Sequence, residues 1–223
     1  MDKRSVSVVC TSFNRVDLLE KTLDSFFQFN TFPIQEFIVR DDSGEWGCND
    51  SLIEKFPSVD FRYNEERIGQ IESIDRLYSD IEPVRYIFHM EEDWEFFRGS
   101  FIEHSLDVLE RRQDIFQVWL RDVRDTNGHP VDSDYFDICG RKYSLLNRNH
   151  RGWHGFTFNP TLIRMGAYYQ HGPWSSIAKF NGSKPWQSEQ KIGKYMYSLG
   201  YSSAIHRKYG YVKHIGKGRT IKG

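Results

Sequence analysis

Glu91-Glu92-Asp93 sets three carboxylates in a row directly after an apolar run, Tyr86 to Met90. Adjacent carboxylates repel, so solvent or a cation must compensate them. Hard divalent ions such as Mn2+ or Mg2+ take oxygen ligands, commonly one or two carboxylates plus substrate phosphates. Alone, the triplet would read better as a solvated acidic turn. Its company argues for more. Asp41-Asp42 follows a second apolar run, Ile34 to Arg40. Such a pair can open a turn before Gly44, or accept hydrogen bonds from a base N–H or a ribose hydroxyl. Thr11 to Arg15 follows the run Ser5 to Cys10, and Asn64 to Gln70, with Arg67 and Gly69, follows Val59 to Tyr63.

These positions matter because of the elements that carry them. The four apolar runs, and a fifth at Ile115 to Leu120, read as buried strands. Between them lie helical patterns over Val16 to Phe29, Asn49 to Lys55, Gly69 to Tyr78 and Phe101 to Arg111. In the first, Leu18, Leu19, Leu23, Phe26 and Phe27 share a stripe, with Asn14 placed to cap the helix and Asp17 to complement its first turn. Strand and helix alternating at this spacing predict an α/β fold with a mostly parallel central sheet. Ligands of such sheets bind beyond the carboxyl ends of the strands, where all four polar segments fall. Residues 121 to 150 are polar and loop-rich. The remainder is aromatic and Gly-rich, with one clear helix at Ser188 to Leu199.

Composition narrows the classes. The 223 residues suit a single domain, and 16% of them are aromatic, far from a disordered composition. A net charge of −1 argues against a nucleic-acid polymer as partner. Cys10, Cys48 and Cys139 are too few and scattered for a disulfide framework or a CxxC metal site, and read as reduced thiols of a cytoplasmic protein. No transmembrane segment is visible. The near-zero total hides a division. Acidic groups cluster between Asp41 and Glu95, whereas Gln190 to Gly223 holds no Asp or Glu but eight basic residues: Lys191, Lys194, Arg207, Lys208, Lys213, Lys217, Arg219 and Lys222. That stretch reads as a basic tail, or as an electropositive flap over a diphosphate, made mobile by Gly210, Gly216, Gly218 and Gly223.

Val6 to Arg15, Phe37 to Ser43 and Phe88 to Asp93, in this order, resemble the first strand and nucleotide loop, the second strand with its Asp pair, and a variant D-x-D motif of the GT-A glycosyltransferases, particularly the inverting family 2 type. The likeness spans about residues 5 to 95. It implies a Rossmann-like GT-A domain over 1–223. Residues 1–120 would bind the nucleotide-sugar donor, and residues 121–223 the acceptor, with the basic C-terminal flap. It implies that Thr11, Phe13 and Arg15 contact the nucleobase region, that Asp41 and Asp42 bind base or ribose, and that Arg67 and Gln70 touch the nucleotide. Asp93 would hold Mn2+ or Mg2+ on the diphosphate, with Glu91 and Glu92 acting through ribose or water.

Three later segments extend the resemblance. Glu189, in Trp186-Gln187-Ser188-Glu189, stands where many members carry the general base, although it would also complement a helix dipole. His214 matches a late metal-ligating His. Trp153 and His154, with Trp186, match the acceptor side, although these rings are equally good core. The implied reaction is metal-assisted transfer with inversion from a UDP-sugar by default to a hydroxyl of a glycan, lipid-linked or protein acceptor. The motif is not a literal D-x-D, and the one that occurs, Asp132-Ser133-Asp134, follows no apolar strand and reads as a surface turn. Rivals are a nucleotidyltransferase, a non-catalytic carbohydrate-binding protein and a degenerate transferase. The first usually has a Gly-rich loop after strand one, absent here, and the second does not explain acidic residues at successive strand ends. G-x-G-x-x-G, P-loop and G-x-S-x-G signatures are also absent.

Overall fold

The computed structural model describes residues 4–45, 50–146, 153–178 and 185–217, with the side chains of Asp50, Pro185 and Trp186 left aside. Its centre is a sheet built from β1 (Val6–Ser12), β2 (Phe37–Asp41), β3 (Asp60–Tyr63), β4 (Tyr86–Glu91), β6 (Ile115–Trp119), β7 (Phe136–Ile138), β8 (Arg141–Leu145), β9 (Thr161–Arg164) and β10 (Ser202–His206). The strand order is β3-β2-β1-β4-β9-β6-β10-β8-β7. β1 pairs in parallel with both β2 and β4, and β2 with β3. Such strands are covered on both faces, and every residue of β1 and β2 is buried.

The helices that cover the sheet follow their apolar stripes. α1 (Val16–Phe29) buries Leu18, Leu19, Leu23 and Phe26. The Phe26 ring packs against Phe37, Phe88, Phe96 and Phe101 at centroid distances of 5.1 to 5.9 Å. α3 (Gln70–Ser79) and α4 (Phe101–Arg111) lie close to their sequence patterns, as does α2 (Asp50–Lys55). α5 (Met165–His171), α6 (Trp174–Ala178) and α7 (Pro185–Ser198) complete the set.

Three sequence expectations need correction. Asn14 does not cap α1. It lies at φ 48°, and the cap position is Arg15, with no side-chain hydrogen bond. The Asn14 backbone N–H instead donates to Asp41 Oδ2 at 2.8 Å, so the loop's turn is set by β2 rather than by the helix. The second half is far more regular than its composition suggests. β9, only four residues long, inserts antiparallel between β4 and β6, pairing Leu162 with both Phe88 and Val118. β7 and β8 form an antiparallel hairpin from the polar stretch, and β8 pairs with β10. Finally, Gly210 and Gly216 serve close packing rather than a hinge. A Cβ at Gly210 would overlap the Asp122 backbone, and one at Gly216 would overlap the Asp93 carboxylate. Gly218, Arg219, Lys222 and Gly223 lie outside the described residues, as does Cys48. Cys10 and Cys139 form no disulfide among the described residues.

A small second sheet pairs β5 (Trp94–Phe96) with β11 (Val212–His214), Trp94 facing His214. α1 fixes this ribbon through two buried hydroxyls. Thr22 Oγ1 donates to Glu92 O at 2.6 Å and accepts from Trp94 N, and Ser25 Oγ accepts from Phe96 N at 3.0 Å. The acidic triplet is thus the turn between a central strand and a ribbon clamped by a helix.

Candidate active site

The strand register brings the polar ends together. Thr11 stands beside both Arg40 and Glu91, and Ser12 beside Asp41. Phe13 N donates to Glu92 Oε1 at 3.2 Å. Arg15 donates from Nε to Glu92 Oε1 at 2.6 Å and from Nη1 to Asp93 Oδ2 at 2.9 Å. On the other side of Asp93, His214 Nε2 lies 3.2 Å from the same Oδ2, although 121 positions separate them in the chain. Ile215 N donates to Asp93 O at 2.9 Å, so the segment reaching Lys217 is tied to the acidic turn.

The acidic pair on β2 shapes two loops. Asp41 Oδ2 receives Asn14 N, while Oδ1 receives Ser43 N at 2.9 Å and the Ser43 hydroxyl. Asp42 Oδ1 takes Asn64 Nδ2 at 2.8 Å and Ile68 N at 3.0 Å, and Oδ2 takes Gly69 N at 2.9 Å. Asn64 Oδ1 in turn accepts from Arg40 and Arg76. The 64–69 loop so held presents Arg67, whose guanidinium lies 4.8 Å from the Phe13 ring centroid. Gly69, at φ 97°, adopts a backbone that disfavours any side chain and leads directly into α3. Gln70 then donates to Glu91 Oε1 at 2.9 Å.

Glu189 joins the same cluster from α7. Its Oε1 accepts Phe158 N at 2.7 Å and the Thr157 hydroxyl at 2.9 Å. Its Oε2 has no hydrogen bond among the described residues. Burial raises its proton affinity, and the two donors and Arg121 offset this only in part. Glu91 is pushed well above the ordinary carboxyl range by burial, then by repulsion from Asp93, Glu92 and Glu189. Glu92 rises to about 7, burial outweighing Arg15. Burial acts on Asp93 in the same sense, but hydrogen bonding to His214 and the Arg15 guanidinium hold it below the usual range. Of the triplet, Asp93 is therefore the residue whose charged form its surroundings favour most.

A divalent cation can be tested against these atoms. Asp93 Oδ2 and His214 Nε2 offer an oxygen and an imidazole nitrogen 3.2 Å apart. Neighbouring ligands of an ion with ~2.1 Å bonds stand about 3 Å apart, so the pair suits adjacent coordination positions. Among the described residues no group of three or more His, Cys, Asp or Glu side chains is placed to hold a metal, so the chain fits as a two-ligand partner rather than a full cage.

The acceptor-side residues separate. Trp153 is 5% exposed and belongs to a core cluster with Trp119, Leu146 and Ile205. His129 stacks on it at 3.8 Å, and Trp119 meets it edge to face. It is part of the core, not the cleft wall that its aromatic ring suggests. His154 stacks on Tyr197 at 4.5 Å. The Trp186 side chain lies outside the described residues.

Several site residues were not singled out from sequence. Arg121 is buried at the end of β6, its Nη1 on Asn159 Oδ1 at 2.7 Å and its guanidinium 5.1 Å from the Trp94 ring centroid. The strand-end rule, extended to the fifth strand, finds it. Thr157 carries no such signal. Its role depends on what packs against it. Asp132-Ser133-Asp134 does lie at the surface, with Ser133 and Asp134 exposed.

No protein-family model matches the chain, and no curated protein matches its sequence. Solved structures do match in shape. A mannosyltransferase from Pyrobaculum calidifontis, in complex with GDP-Man and Mn2+, superposes with a TM-score of 0.67 at 14% identity, over 96% of this chain and 57% of that one. GalNAc-T7 with UDP, GalNAc and Mn2+ gives 0.67 at 14%, over 94% and 43%. S. aureus TarS 1-349 with UDP-GlcNAc gives 0.60 at 12%, over 96% and 61%. The chain has the GT-A glycosyltransferase fold: α/β, Rossmann-like, with a mostly parallel central sheet. It spans roughly half the length of these structures, between 43% and 61%. Among the described residues no helix is long and apolar enough to cross a membrane.

Proposed function

We propose that the chain transfers a sugar from a nucleotide-diphosphate donor to an acceptor hydroxyl with inversion. The observation that carries this reading is the meeting of Asp93 and His214 at 3.2 Å, with the Glu189 carboxylate close enough to act on the adjacent Glu91, in a fold shared with transferases solved with a nucleotide and Mn2+. The nucleotide lies along residues 1–120. Phe13 and Arg67 offer a stacking face and a cation to the base and phosphates, and Thr11 lines the same edge. Asp41 and Asp42 hold the two loops, and the Oδ2 of each, which takes one donor, has room for a second from base or ribose. Arg15, Gln70, Glu91 and Glu92 set the floor beneath the diphosphate.

Asp93 and His214 would hold Mn2+ or Mg2+, which supplies Lewis-acid stabilisation of the leaving diphosphate when bound. Glu189 takes the proton from the acceptor hydroxyl through Oε2, while Thr157 and Phe158 fix its orientation through Oε1. The acceptor oxygen forms a bond to the anomeric carbon as the bond to the diphosphate breaks, through an oxocarbenium-like state. One base opposite one leaving group inverts the configuration. Residues 121–223 receive the acceptor, a glycan, lipid-linked or protein hydroxyl, with His154 and Trp186 on its side. The basic C-terminal segment excludes water that would otherwise consume the donor.

The test is a thermal-shift panel of nucleoside diphosphates with and without Mn2+, followed by a donor-hydrolysis screen over nucleotide sugars. The proposal requires metal-dependent stabilisation by a nucleoside diphosphate, with UDP expected first, and slow release of sugar from one donor. No response to any nucleotide would return the chain to a carbohydrate-binding or degenerate role. Release of pyrophosphate from a nucleoside triphosphate would make it a nucleotidyltransferase.

A further inference from the structure

A second concave region lies at the same sheet edge, among β8, β10 and the segment after it. It is a cavity of about 470 Å3 lined chiefly by Arg141, Lys142, His206, Arg207, Lys208 and Tyr209. Four of its lining residues are cations and none is acidic. β10 runs parallel to β6, and both run in the same sense as β4, so His206 ends at the edge that carries Asp93. Three strand spacings separate β4 from β10, which at ~4.8 Å each is roughly 14 Å. From the cavity the chain passes through Gly210 and Tyr211, pinned to Asp122 and Leu120, into β11 and His214.

A basic surface is ordinarily only solvated. His206 makes this one different. It is 2% exposed, and its Nδ1 accepts the backbone N–H groups of Lys208 at 3.2 Å and Tyr209 at 3.3 Å. The imidazole proton therefore belongs on Nε2. That nitrogen is buried and has no hydrogen-bond partner among the described residues. An unpaired buried donor is costly, and because His206 lines the cavity an oxyanion drawn in as far as Nε2 would supply the missing acceptor. The surrounding cations are arranged rather than scattered. Arg207 Nη1 is held by Ser144 Oγ at 2.8 Å and Asp132 O at 3.3 Å, while its Nε and Nη2 make no hydrogen bond among the described residues. Arg98 stacks on Tyr209 at 3.8 Å, and Lys142 Nζ donates to Tyr135 Oη at 3.1 Å. Lys208 is exposed and forms no ion pair among the described residues.

We propose that this cavity binds a phosphate group, carried either by the acceptor or by a separate small molecule. The Arg207 fork and two ammonium groups, with Arg141 sharing its Nη1 with Asp107 Oδ2 at 3.4 Å, match a doubly charged oxyanion better than a single carboxylate. A volume of about 470 Å3 leaves room for the organic part that bears it. Binding at this site does not rest on the transfer reaction above; only the identity of the phosphate's carrier does.

The experiment follows the His206 imidazole by NMR while glycerol phosphate is added to the 15N-labelled chain, with glycerol as the neutral control. A saturable shift with glycerol phosphate and none with glycerol is expected. The affinity should fall about ten-fold in Lys142→Ala/Lys208→Ala and weaken as salt is raised. A silent His206, or undiminished affinity in that variant, overturns the proposal. If the double variant melts below the wild type, Lys208→Ala alone, at an exposed side chain, serves the same comparison. Saturating UDP with Mn2+ should leave the His206 response in place, and its loss would show the ligand sitting in the donor cleft and overturn a separate site. Failure of UDP to bind would instead sink the transfer reading and leave the glycerol phosphate result standing. With binding established, a change in the wild-type donor-hydrolysis rate on adding glycerol phosphate identifies a separate effector. An unchanged rate identifies a group borne by the acceptor.

Discussion

Glu189→Gln separates catalysis from scaffolding most cleanly. Glutamine keeps an oxygen where Phe158 N and the Thr157 hydroxyl donate, at 2.7 and 2.9 Å, so the side chain should stay in place. It removes only the ability to take a proton. General-base catalysis is worth about 10²- to 10⁴-fold, or roughly 3–5 kcal/mol of barrier, and transfer should fall by that amount. Donor affinity, measured by calorimetry with a nucleoside diphosphate and Mn2+, should stay within about two-fold. Stability supplies an independent sign. The folded state holds the Glu189 proton more tightly than the unfolded chain does, because burial outweighs the two donors. The wild type therefore loses stability as pH rises above about 4.3, where the unfolded carboxyl ionises. Glutamine does not titrate. Urea unfolding should show little difference between the two proteins near pH 4 and a growing advantage for Glu189→Gln towards pH 7. Transfer at wild-type rates in the variant would refute the base assignment. A stability difference independent of pH would refute the burial argument.

Three further outcomes follow from the same geometry. Asp93→Asn should abolish the Mn2+-dependent thermal shift with a nucleoside diphosphate. It should also cost about 1–3 kcal/mol in urea unfolding, since Arg15 and His214 each lose a charged partner. Gly216→Ala places a methyl group on the Asp93 carboxylate and should weaken metal-dependent nucleotide binding while leaving the far-ultraviolet dichroism unchanged. His89 is fully buried and neutral, its pKa driven down to about 3 by burial. Stability should therefore fall as pH drops from about 6.5 towards 3, by roughly 5 kcal/mol when fully developed. His89→Gln should lose that part of the acid dependence in urea titrations followed by fluorescence.

Much of the front half was legible because its signals are local. Val16–Phe29 and Phe101–Arg111 are the observed helices to the residue, since a stripe at 3.6-residue spacing survives without knowledge of its neighbours. The buried strands β1, β2 and β4 likewise announce themselves as apolar runs. β9 does not. Four residues after Pro160 carry no periodicity worth reading, and the strand exists because β4 and β6 leave an antiparallel slot between them. Trp153 shows the converse failure. Its ring chemistry suits a sugar face, yet packing against His129 and Trp119 spends it in the core.

By itself the sequence determined the order of the strands' polar ends, the acidic triplet, the Asp pair and the basic C-terminal stretch. These depend on residue type and near neighbours. The tertiary structure alone decided which charges meet. It favoured the charged form of Asp93 by placing Arg15 and His214 on one oxygen, and it raised the proton affinity of Glu91 among buried carboxylates. It turned Asp41 and Asp42 into the anchors of two loops, brought Glu189 near the acidic triplet from α7, and buried His206 Nε2 without a partner among the described residues. Electrostatic energy depends on distance and burial across the whole chain, and neither is written in the order of residues.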